Sequence, residues 1–390
     1  MPRRRAARLT IPAALLALAA SAAPATPDTR DLPEPAARTG EGPAFAVVAF
    51  DSASGSWGVA CASGELAIGS RAAYAAADAG ALLSLGPGPG ALHDAAAALA
   101  RGASPDSALA LLTPAGADPA ARLGLAVGHD GRVAGRSGPR LPGFTGVLLR
   151  HRFGCAGYGL RGTTTLAAMA AAFEQREDDL GARLLAALQA GERADGDPFA
   201  ALGHGSASLL VVRAEAEPGR GSSRGSGSDR LTDLRVDLDP DPIGALGRLY
   251  ARHAETFLPA AHVRYADQAR RRGDDAAAAR EYAAAEKGFR AAVARAPKDA
   301  GALNELAWFL ATRGGDPSEA LRYAEAAVTA RADDPNLLDT LAEAAYRAGN
   351  LERAIEAMER AVRLSRGNER YAERLRAFRA AKAALAPASR

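Results

Sequence analysis

Apolar and polar positions follow two different periods along this chain. Strand-like runs occur at 45–50, 57–62, 80–85, 123–128, 132–135, 145–149, 153–157, 207–213 and 231–237, and helical spacing occurs at 91–101, 105–112, 163–174 and 178–191. Phe45–Phe50 and Trp57–Ala62 flank the turn sequence D-S-A-S-G-S and predict a β-hairpin. Ser104 and Pro105 supply a cap and a first-turn residue for the helix that follows them. Strands outnumber helices and fall in adjacent pairs, which predicts an α+β domain with antiparallel pairing over 44–257. The Gly/Ser-rich stretch Ala214–Ser228 separates two strand-like runs and predicts a flexible hairpin loop. From about Ala260 the strand patterns stop, and Ala/Leu/Arg/Glu helices continue to the end.

The helical part contains a repeat. Pro335–Asn368 resembles a tetratricopeptide repeat through Leu338, Leu341, Ala342, Gly349, Ala354, Met358 and Ala361, with Arg366 in place of the usual proline. A second unit lies upstream with Ala307, Ala320, Ala324 and Ala327, and an irregular first unit retains Phe289, Ala292 and Pro297. The segment 368–385 supplies a terminal amphipathic helix, so the resemblance covers roughly 265–385 within an all-α region at 260–385. Small residues let paired helices approach and large ones fill the groove between them. Leu341, Ala342, Ala354, Met358, Ala361, Ala307 and Ala320 are therefore the expected packing positions of a module that binds a protein partner.

Composition narrows the setting. Hydrophobic residues make up 48% and aromatic ones 5% of the chain, so its cores are built from Ala, Leu and Val. Residues 1–22 read as a signal peptide, with Arg3, Arg4, Arg5 and Arg8 ahead of a short apolar run and small residues at Ala20–Ala22. An uncleaved anchor helix is the alternative. Residues 23–43 read as a flexible lead-in, and the expected location is periplasmic or extracellular, with no membrane span after cleavage. Basic residues number 48 against 45 acidic ones, and without the four leading arginines 44 against 45, which leaves no nucleic-acid footprint. Cys61 and Cys155 could form a disulfide in an oxidising compartment or remain two buried thiols. The six histidines show no metal-ligand spacing, and the sequence calls for no cofactor.

Several stretches of 44–257 resemble the family catalogued as domain of unknown function 1028: "FAVVAFDSASGSWGVACAS", "LAIGS", "LGLAVGHDGRVAGRSG", "GYGLRG", "SASLLVVR" and "DRLTDLRVDLDPDPIGALGRLY". The resemblance implies a four-layer αββα sandwich of the N-terminal-nucleophile (Ntn) hydrolase type, here followed by the all-α repeat domain. Chemistry of that type needs a Thr, Ser or Cys as the mature first residue, whose own amine serves as general base. Family members usually begin with Thr at the position of Ala44, and Ala46 stands where a Ser would be. Gly64 follows the "ACAS" run where a Lys is frequent, and Tyr158 replaces a frequent Asn. The segment Ser84–Asp94 is also nearly free of functional groups.

The resemblance therefore implies a scaffold without the superfamily's nucleophile. If chemistry has relocated, Ser63, Ser52, His204 and Ser206 are the candidate residues. "GHGSAS" lacks the trailing Gly of a nucleophile elbow, "GPGPG" has prolines where a phosphate cradle needs N–H donors, and "DLRVDLDPDP" lacks EF-hand spacing. Three readings follow: an exported, non-catalytic protein that docks a partner through its repeats, a cell-envelope amide hydrolase with a relocated nucleophile, or a small-molecule sensor using the old cleft.

Overall fold

The computed structural model describes residues 42–86, 91–113, 118–213 and 230–385. The expected signal peptide, all of the lead-in up to Glu41, and the Gly/Ser-rich loop lie outside the described residues. Six strands form one antiparallel sheet: β1 (Ala44–Asp51), β2 (Ser56–Ser63), β7 (Phe144–Arg150), β8 (Phe153–Leu160), β9 (Gly205–Arg213) and β10 (Arg230–Asp239). Their order is β10-β9-β2-β1-β8-β7, so the opening hairpin sits at the centre. A second sheet has the order β3-β4-β5-β6, from β3 (Ala73–Ala76), β4 (Gly80–Leu85), β5 (Leu123–Gly128) and β6 (Val133–Ser137).

Alternation along each strand builds the layers, because successive side chains point to opposite faces. On β1, Phe45, Val47 and Ala49 face a core shared with α3 (Thr163–Glu174), α4 (Leu180–Asp195) and α5 (Pro242–Thr256). Ala44, Ala46 and Val48 face the opposite way, into the seam between the two sheets with Val59, Leu83 and Leu125. The outer face of the smaller sheet carries α1 (Leu92–Ala100) and α2 (Pro105–Ala110), packed through Leu99 and Leu109 on Leu82 and Ala126. The result is helix, sheet, sheet, helix.

The strand-like runs and the four helical runs are all present, with ends shifted by a few residues. β3 and α5 fall outside the expected runs. β3 is only Ala-Tyr-Ala-Ala and lacks β-branched residues; its pairing with β4 through a tight turn creates it. α5 had its start signal in plain view, since Asp241 accepts the Gly244 N–H at 3.0 Å and Pro242 opens the first turn.

The two cysteines cannot join, which removes the disulfide alternative. Both are free and buried, and they point to opposite faces of one sheet, Cys61 into the inter-sheet seam and Cys155 toward the helices. β1 also lies between their strands. Bridging them would require Cβ atoms to approach within about 4 Å. Burial pushes the Cys61 thiol up to about 11, partly offset by its contact with the Ser208 hydroxyl, and pushes Cys155 up to about 12.

Three helical hairpins follow: α6 (Leu258–Arg271) with α7 (Asp275–Arg295), α8 (Ala300–Arg313) with α9 (Pro317–Ala330), and α10 (Pro335–Arg347) with α11 (Leu351–Leu364). α12 (Glu369–Leu385) closes the array. Asp274, Asp299, Asp316, Asp334 and Asn350 each cap the helix that follows with a side-chain oxygen. Leu341, Ala342, Ala354, Met358, Ala361, Ala307 and Ala320 are buried together in one core. Only Phe257 separates α5 from α6, and Leu258, Ala261 and Tyr265 of α6 belong to the core beneath the six-stranded sheet.

Candidate functional site

The first position of β1 is built as packing. Ala44 is fully buried, pairs with Ser63 of β2 and Tyr158 of β8, and shares the inter-sheet seam with Tyr158. The chain ahead of it is wedged in place. The Pro43 carbonyl accepts the Gly64 N–H at 3.0 Å, and Gly159, at φ +69°, lets the Pro43 Cα pass close by. A Cβ on Gly64 would stand 2.3 Å from Leu202 Cδ1 and 3.1 Å from the Gly42 Cα. A larger residue at this position would have to displace the Leu202 side chain and press on the Gly42 backbone.

The four candidate residues divide by place and by commitment. Ser52 lies in the hairpin turn, at the far end of β1 from Ala44, and its exposed hydroxyl accepts from Arg152. Ser63 and Ser206 are register partners at the near end, both fully buried. Ser63 Oγ accepts the Glu65 N–H at 3.1 Å. Ser206 Oγ donates to the Glu65 carbonyl at 2.5 Å and accepts the Ile68 N–H at 3.1 Å. Both hydroxyls thus pin the loop after β2. His204 is exposed just before β9 and, among the described residues, bonds to neither hydroxyl. A nucleophile needs a base within hydrogen-bond reach, and neither buried serine has one among the described residues.

Two polar clusters lie where no local sequence pattern points to them. At the junction of sheet and repeats, Arg213 Nη1 donates to Glu281 at 2.7 Å, His262 Nδ1 donates to the other carboxylate oxygen at 2.8 Å, and the Arg213 guanidinium lies 4.0 Å over the Tyr265 ring. Burial alone would raise the Glu281 carboxyl, but the His262 hydrogen bond and the Arg213 charge together hold it below the ordinary value. At the other end, Arg374 of α12 pairs with Asp339 at 2.8 Å and Glu343 at 2.7 Å, and Arg370 adds a 3.2 Å contact to Asp339. Burial pushes the Asp339 carboxyl up, and the two arginines offset only part of that rise. These partners are 19 to 68 residues apart, beyond the reach of any local pattern.

Among the described residues no three His, Cys, Asp or Glu side chains converge as a metal site requires. No helix among them is long and apolar enough to cross a membrane.

Two parts of the chain each match a known family. The chain belongs to the family of unknown function DUF1028, whose model matches residues 44–246, more than half of the sequence. It carries a tetratricopeptide repeat at residues 335–368. It is similar to a Silicibacter pomeroyi protein of the DUF1028 family, whose crystal structure is 27% identical, covers 54% of this chain and 89% of that one, and superposes with a TM-score of 0.46. The tetratricopeptide-repeat domain of Sgt2 from Aspergillus fumigatus is 22% identical, covering 32% of this chain and 87% of that one with a TM-score of 0.26. The first such domain of human RPAP3 is 16% identical over 33% and 94%, with a TM-score of 0.25. No curated protein matches the chain.

Proposed function

We propose that this is an exported cell-envelope protein in which an Ntn-hydrolase-like DUF1028 scaffold has lost the superfamily's chemistry and serves as the base for tetratricopeptide repeats that dock a protein partner. The observation that carries the reading is Ala44. It has no attacking atom, its methyl group is buried in the inter-sheet seam, and its nitrogen is in a peptide bond to Pro43, whose carbonyl is held by Gly64. The backbone commitments of Ser63 and Ser206 weigh against a relocated nucleophile. Export rests on the basic and apolar pattern of residues 1–22.

The mature protein recovered from the envelope tests both halves of the reading. Mass spectrometry is expected to find its first residue near Ala23, with no stoichiometric label after treatment with a serine-reactive fluorophosphonate. A chain beginning at Ala44 would show that Ntn-type processing persists, and a label on Ser63 or Ser206 would establish a working nucleophile. Either result overturns the corresponding half of the proposal.

A further inference from the structure

At the end of β1 opposite Ala44, a cavity of about 210 Å³ opens between the β1–β2 turn, the loop ahead of α4, the end of β9 and the first helical hairpin. Both halves of the chain wall it, and small ligands commonly bind between modules. Arg213 lines it with a side chain only 13% exposed. Its guanidinium is fixed twice, by the Glu281 carboxylate at Nη1 and by the Tyr265 ring, whose centroid lies 4.0 Å from Cζ. The remaining edge, formed by Nε and Nη2, has no acceptor among the described residues. Two parallel N–H groups on one edge of a held guanidinium match the two oxygens of a carboxylate. Arg280 of α7 lines the same cavity, is exposed, and has no ion pair among the described residues.

The parts of the wall that come from the β1–β2 turn and the loop ahead of α4 are acidic, with Asp51, Glu177, Asp178 and Asp179. Three of these have partners. Asp51 accepts the Ser54 hydroxyl, Asp178 pairs with Arg176 and Lys287, and Asp179 caps α4 and accepts the Tyr250 hydroxyl. Glu177 is exposed and has none among the described residues. A purely anionic ligand seated on Arg213 would sit among these carboxylates and be repelled by them. A purely cationic one would leave the open edge of Arg213 unanswered. A molecule with a carboxylate at one end and an ammonium at the other answers both, and the volume suits one the size of an amino acid.

We propose that this cavity binds a free α-amino acid. Its carboxylate takes the open edge of Arg213, with Arg280 as a second positive charge, and its ammonium lies beside Glu177 and Asp51. The site is independent of partner docking, since neither the inter-sheet seam at Ala44 nor the packing positions of the repeats take part in it. Arg213 belongs to β9 and Arg280 to α7, so an occupant bridges the sheet and the first helical hairpin. Ligand bound only by the folded chain is expected to raise its melting temperature.

The probes are the common amino acids, each added singly at millimolar concentration to the full chain and read by thermal shift. The strongest binder is then titrated by calorimetry beside its carboxamide and its N-acetyl twin. It is expected to bind about tenfold more tightly than either twin, since each lacks one charged contact. Arg213→Lys keeps a charge beside Glu281 but removes the flat two-donor edge, and is expected to lose about tenfold in affinity. Arg280→Gln and Glu177→Gln are expected to weaken binding by a similar factor while melting with the parent when unliganded, because both side chains are exposed. Glu369→Gln, exposed on α12, is expected to change neither. If no amino acid binds, or if the binder is indifferent to both Arg280→Gln and Glu177→Gln, the proposal is overturned. Equal or tighter binding of the N-acetyl twin overturns the ammonium contact and with it the amino acid, and equal binding of the carboxamide overturns the role given to Arg213.

Discussion

Glu192, on α4, shows how single residues in this protein respond to their surroundings. Burial raises its carboxyl to about 7, and the nearby Asp241 and Asp197 push in the same direction. An unfolded glutamate titrates near 4.3, so between roughly 4.3 and 7 the folded state holds a proton that the unfolded state has released. Stability therefore falls as pH rises through that window, and above it the folded protein carries an unfavourable charge. Glu192→Gln is expected to stabilise the protein at pH 8 by on the order of 1 kcal/mol, a figure discounted because solvent reaches the group, and to have almost no effect near pH 4. Thermal melts of both proteins at the two pH values check this, and an equal gain at both would point to packing rather than charge. The sequence made Ala44 legible at this scale because one residue type is incompatible with the chemistry. It did not mark Ser63 and Ser206 as loop pins, since a hydroxyl's partner is set by the fold and not by its neighbours in the chain.

Among the elements, α10 and α11 carry the clearest relation between sequence and packing. Ala354, Met358 and Ala361 lie on one face of α11 at helical spacing and are fully buried with Leu341 and Ala342 of α10. Replacing Ala354 with Leu adds volume where the helices approach, and the expected cost is about 1–3 kcal/mol. Chemical denaturation of the full chain measures it, and a variant as stable as the parent would mean that the pair has slack the burial does not suggest. Periodicity revealed these helices because each buries a single face. It failed for β3, whose Ala73, Ala75 and Ala76 have no intrinsic preference for a strand and are recruited by β4. α5 is legible in principle, since Asp241 and Pro242 form a start signal, but the same residues sit within an Asp-rich run that resembles a loop as much as a cap.

Across the whole molecule, the sheets and the repeats share a core rather than a tether. α6 places Leu258, Ala261 and Tyr265 under the six-stranded sheet, and the Arg213–Glu281–His262 cluster ties β9 to the first hairpin. Glu281→Ala leaves the guanidinium of Arg213 buried without its partner, an omission that costs about 3–5 kcal/mol in comparable settings. The variant is expected to lower one common calorimetric transition. Two separate transitions, only one of them shifted, would show that the halves unfold independently. Because Glu281 is held below its ordinary value, its contribution is present above about pH 4.3 and is lost as the pH falls through that value toward its folded one. Nothing in the sequence announced this junction, because Arg213 and Glu281 lie 68 residues apart and each looks like an ordinary surface charge.

The central position of the opening hairpin sets a timetable. β2 pairs with β1 across a short turn, yet its other edge waits for β9, with Ser63 meeting Ser206. A chain leaving the ribosome or a translocation channel therefore presents β2 with an unpaired edge until more than a hundred further residues have emerged. Contacts that distant in sequence form slowly, whereas the helical hairpins close locally and quickly. Although made after the sheets, the repeats are placed to finish folding before the domain that precedes them, and the unclosed sheet is the species most exposed to aggregation on the way.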